Sequence, residues 1–100
     1  MEFYHRTDRS IHHLVELGTF GHFPLFDIDW ILEVGPQRNK LTGNEKVKAK
    51  KLLERLCVHR SIERKKVVLT GMDPIDRQLV VRAFLKLVEG KILDRRPEIQ

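Results

Sequence analysis

One hundred residues with a net charge of +5 describe one modest domain, large enough for a single core and too small for two. No segment approaches the apolar length of a membrane span, and the one cysteine, Cys57, leaves neither a disulfide framework nor a cysteine-based zinc site. The first residues, Met1-Glu2-Phe3-Tyr4-His5-Arg6, lack the basic-then-apolar layout of a secretory signal, so the expected setting is a reducing cytoplasm.

In chain order, residues 8–17 predict a short helix. Thr7 or Asp8 can cap it, Ile11, Leu14 and Val15 form one apolar face, and Gly18 ends it. Thr19 to Phe26 is loop-like, broken by Gly21 and Pro24. Residues 26–34 carry two patterns. Phe26, Ile28, Trp30 and Leu32 alternate with Asp27 and Asp29, as in a strand, yet Asp27 can equally cap a helix bearing Ile28, Ile31 and Leu32 and stopped by Gly35-Pro36. A lone strand has nothing to pair with, so the helix is expected.

Gln37 to Gly43 is a basic polar linker. Thr42-Gly43-Asn44-Glu45 has capping-box spacing and opens a helix to about Val58, with Ala49, Leu52, Leu53 and Leu56 turned inward. Ser61 caps a shorter helix to about Thr70, closed near Gly71, although its Val67-Val68-Leu69 run is β-prone. Asp73-Pro74 then starts the strongest helix, 74–89, with Gly90 as its stop. Its apolar residues, among them Leu79, Val80, Val81, Phe84 and Leu85, sweep an arc of about 240°, wider than one neighbour can cover.

The expected fold is therefore all-α, a single domain over residues 1–100. Three helices in residues 44–89 make the bundle, preceded by an acidic, aromatic-rich, partly helical arm over 1–37 and followed by a frayed tail over 91–100. Six of the seven aromatic residues lie in the first thirty positions, so the arm is expected to lie across helix 74–89.

Charge is segregated. Residues 1–37 hold two basic and six acidic side chains, a net of −4; residues 38–66 hold eleven and three, a net of +8; residues 67–100 hold six and five, a net of +1. Lys48, Lys51 and Arg55 form a helical ridge flanked by Lys46 and Lys50, and Arg60, Arg64, Lys65 and Lys66 extend the charge into the next helix. Phosphates spaced along a nucleic-acid backbone complement such a ridge. The bland alternative is a solvated helix face, but Glu45, Glu54 and Glu63 are the only acids available to neutralise it.

Other constellations carry less. The link Thr70-Gly71-Met72 allows a helix-turn-helix, but a recognition helix opening on Asp73 and Asp76 would meet phosphates unfavourably. Adjacent His12 and His13 point to different sides, and Cys57 and His59 share no helical face, so no metal site is expected. Asp27 and Asp29 are explained by capping, and no glycine-rich phosphate loop or nucleophile motif is present. An anion-binding enzyme would lack both nucleophile and base.

The sequence thus predicts a small non-enzymatic regulatory protein without cofactors, binding nucleic acid through Lys48, Lys51, Arg55, Arg64, Lys65 and Lys66. The alternative is an adaptor or oligomeric subunit, a homodimer included, that docks an acidic protein surface. It would use helix 74–89 and the aromatic arm, with Val81, Phe84, Leu85 and Trp30 at the interface.

Overall fold

The computed structural model describes residues 2–35 and 40–94, with side chains from residue 11 to residue 93 within those spans. The described residues form five helices: α1 (Glu2–Thr19), α2 (Ile28–Val34), α3 (Gly43–Cys57), α4 (Ile62–Thr70) and α5 (Pro74–Asp94). Among the described residues there is no strand.

Helix α5 is the centre of the fold. Leu79, Val80, Val81, Ala83, Phe84 and Val88 are all buried, and α1, α2 and α3 each pack against it, while α4 packs on α3. The all-α class stands, but a core of three helices is corrected to five. The apolar arc of α5 is too wide for α3 to cover, and the arm completes the cover with two helices of its own. Phe23, Phe26 and Trp30 of the arm pack toward α5 as expected, whereas Phe20 is exposed and the side chains of Phe3 and Tyr4 lie outside the described residues. Phe26 and Phe23 stand edge-on to Phe84, with ring centroids 5.1 and 6.4 Å away.

Helix α1 begins at Glu2, well before the expected start at residue 8, because nothing in Glu2 to Thr7 breaks a helix. It ends one residue past Gly18, where the Thr19 hydroxyl donates to the Glu16 carbonyl (2.6 Å) and Gly21 takes φ +80°. Gly18 is an approach point rather than a stop. A Cβ there would lie 2.7 Å from Val88 Cγ2 and 3.0 Å from Phe23 Cε1, so α1 and α5 nearly touch at this residue.

Residues 28–34 are helical, as the lack of a pairing strand implied, but the face is corrected. Trp30 and Val34 are buried and Ile31 partly so, while Ile28 and Leu32 point to solvent. The Arg77 guanidinium lies 4.9 Å from the centroid of the Trp30 ring and helps seat that side inward. Asp27 holds the N-cap position without a side-chain cap bond, and Gly35, at φ +65°, ends the helix.

The capping box of α3 is complete. Glu45 N–H donates to Thr42 Oγ1 (3.1 Å), and Thr42 N–H donates to Glu45 Oε1 (2.9 Å). The buried face is Ala49, Leu52, Leu56 and Cys57, with Leu53 half-buried at its edge. In α4 the Arg64 N–H donates to the Ser61 hydroxyl (3.0 Å), and burial of Leu69 outweighs the β preference of the valines.

Gly90 does not stop α5, which runs on to Asp94 with no left-handed residue at position 90. A glycine inside a helix costs only about 1 kcal/mol. Beyond it Lys91 reaches Glu16 of α1 at 3.6 Å, and this neighbour extends the helix. Residues 91–94 of the expected tail are thus helical, and residues 95–100 lie outside the described residues, as does most of the basic linker.

Candidate functional site

The basic block divides into three groups. Lys65, expected on the surface, is only 2 % exposed. It stands one turn before Leu69 on the inner face of α4, and its Nζ donates to the carbonyls of His59 and Arg60, the latter at 3.2 Å. Burial holds its ammonium below the usual lysine range, opposed in part by the nearby Cys57. Lys65 therefore fastens the turn between α3 and α4 and is corrected from a phosphate contact to a structural tie.

Lys48 and Lys66 face solvent but are paired with acids of the same chain. Lys48 Nζ lies 2.8 Å from Asp76 at the start of α5, an acceptor that raises its pKa, and Lys66 Nζ lies 2.9 Å from Asp27 of the arm. Among the described residues an acid of the arm thus neutralises the block at one position, Lys66.

Lys51, Arg55 and Arg64 form the third group. All three are exposed, and among the described residues none is ion-paired. Arg60, on the turn that Lys65 ties down, joins them. Arg55 also sits in the last turn of α3, where the helix dipole favours a cation. The sequence placed Arg60 in the basic block but not among the expected phosphate contacts, because it lies between helices and has no helical register. The signal for it was the capping serine one residue later, which fixes where the turn must be.

The proposed protein-contact residues fare differently. Val81, Phe84 and Trp30 are all buried in the chain's own core, leaving only Leu85 partly accessible. Except at Leu87, which is 45 % exposed, the apolar arc on α5 is largely covered from within the chain, which corrects the assignment of those three to an external interface.

A surface feature the sequence did not isolate is an open groove of 440 Å³ between α1, α3 and α5. Ile11, Leu53, Ala83 and Leu87 are among its apolar floor residues. Lys46 and Lys50 stand along its α3 bank, Lys86 on α5 and His12 on α1, with Glu54 as the one acid among its described lining residues. The stripe Lys46, Lys50, Leu53 at i, i+4, i+7 was the available signal, on the flank of α3 away from Lys51 and Arg55. A second, polar cleft between α3 and the start of α5 is closed by the Lys48–Asp76 pair and by Arg82 Nη1 on Glu45 Oε2 (3.1 Å).

Among the described residues no three histidines, cysteines or acids group as metal ligands, and no helix is long and apolar enough to cross a membrane. No protein-family model matches the chain, and neither the curated proteins nor the solved structures searched contain a match.

Proposed function

We propose that this chain is a small, non-enzymatic, cytoplasmic regulatory protein that binds nucleic acid by phosphate contacts. The contacting surface is the outer face of α3 and the α3–α4 turn, with Lys51, Arg55, Arg60 and Arg64 as the contacts. One observation carries the reading: among the described residues four exposed cations have no ion pair, Arg55, Arg60 and Arg64 on or beside a turn whose backbone is tied by the buried Lys65 amine, and Lys51 one turn before Arg55 on the same face of α3. Exposed arginines held on a fixed backbone lose less freedom on meeting a phosphate than the same groups on a loose loop. Few polar groups on this face could read base edges, so affinity without strong sequence preference follows.

The test is binding to fluorescent duplex and single-stranded probes across a salt series. If all four cations meet phosphates, log K against log salt should fall with a slope of about −3 to −4 on duplex. Lys51→Glu with Arg55→Glu should abolish binding at low salt, whereas Lys66→Ala should leave it nearly unchanged. Salt-independent binding, or no binding to any probe, ends the proposal. The groove favours a second reading, in which the protein also docks another protein surface.

A further inference from the structure

The groove between α1, α3 and α5 asks for an occupant with an apolar ridge and carboxylates beside it. Among the described lining residues three lysines stand at its rim, two on α3 and one on α5, against one acid, Glu54. A ligand with one head group, such as a fatty acid, could answer only one bank. A short helix with acids next to an apolar ridge answers both floor and rim.

Such a ridge is present on the chain itself. Ile28 and Leu32 of α2 are 66 % and 68 % exposed, one helical turn apart, and so form a continuous apolar strip. Asp29 and Glu33, each next in sequence to one of them, are also exposed, Glu33 accepting from Gln78 Nε2 of α5 through one of its two carboxylate oxygens (3.2 Å). Trp30 and Val34 anchor the opposite face of α2 in the core, so the ridge is held outward on a fixed helix. The ridge is not in its own groove, so the two can meet only between molecules.

We infer that the chain self-associates by seating the Ile28–Leu32 ridge of α2 in the α1–α3–α5 groove of a second copy, with Asp29 and Glu33 against Lys50 and Lys86. Reciprocal exchange across a twofold axis fills both grooves at once and closes the assembly as a dimer. The inference is independent of nucleic-acid binding, because Lys46 and Lys50 lie on one flank of α3 and Lys51 and Arg55 on the other. A dimer would carry two basic faces.

Sedimentation equilibrium of the full chain from micromolar to millimolar concentration tests it. The expected result is a monomer–dimer equilibrium. Asp29→Lys with Glu33→Lys, and separately Lys50→Glu with Lys86→Glu, should each weaken association by about tenfold or more through like-charge contact. All four changes in one chain should restore it, with circular dichroism reporting that every variant is folded. A monomer at all concentrations overturns the inference and leaves the groove to a foreign acidic segment. Association indifferent to both charge reversals, or loss that the combined variant does not restore, overturns the pairing of α2 with the groove.

Discussion

Arg64 and Lys65 are neighbours in sequence and opposites in the fold. Arg64 is exposed in the first turn of α4, while Lys65, 100° further round the helix, is buried with its amine on two backbone carbonyls. Among the described residues the same division runs through the basic block: Lys65, Lys48 and Lys66 are engaged by their own chain, and Lys51, Arg55, Arg60 and Arg64 have no ion pair. Net charge over a segment therefore overstates the surface available to a partner. What counts is which cations lack a partner inside the molecule.

Substitutions can break or sharpen that division. The largest effect is expected from Lys65→Ala, which removes a packed aliphatic stem and leaves the His59 and Arg60 carbonyls without their donor. Thermal or urea unfolding should show a loss of about 2 to 4 kcal/mol. Lys65→Met should recover part of that loss by restoring the stem. Arg64→Ala should change stability by less than about 0.5 kcal/mol while weakening probe binding. If Arg64→Ala proved the more destabilising, the assignment of the two side chains would be reversed.

A smaller loss, about 1 kcal/mol, is expected from Thr42→Ala, which removes one half of the α3 capping box. The other half is sensitive to acid. Glu45 has a carboxyl pKa held below its ordinary 4.5, first by the Thr42 backbone N–H and then by Arg82. Its contribution is complete above that ordinary value and disappears as pH falls through the lowered one, because the unfolded chain takes up the proton first. Stability measured against pH should therefore fall less steeply in acid for Glu45→Gln than for the native chain.

The smallest effect is expected at Lys48. Its pKa is raised by Asp76, so its contribution is present below the ordinary 10.5 and is lost only as pH climbs past the raised value. The pair is solvent-exposed, and Lys48→Ala should barely move Tm at neutral pH.

The legible parts of the fold were those with local chemistry. Thr42 and Glu45 announced α3, Asp73-Pro74 announced α5, and Ser61 announced α4, because capping acts over three or four residues. What depended on distant neighbours was less legible. Ile28 and Leu32 were expected inside α2, but contacts with α5 selected Trp30 and Val34. Gly90 read as a stop because the sequence does not show that α1 lies alongside to hold Lys91. For the candidate site, Lys51, Arg55 and Arg64 remained exposed as anticipated. Lys65 did not, although its place one turn before Leu69 was a readable warning. The groove was hidden because it needs three helices, and no single periodicity describes it.

The absent side chain at Gly18 acts at a distance. Any larger residue there would meet Val88 and Phe23 and wedge α1 away from α5. Ile11 and His12 ride on the same rigid helix about two turns earlier and form one wall of the groove. One hydrogen atom in place of a methyl group thus works as a spacer gauge, setting the width of a channel roughly 10 Å away along the helix axis.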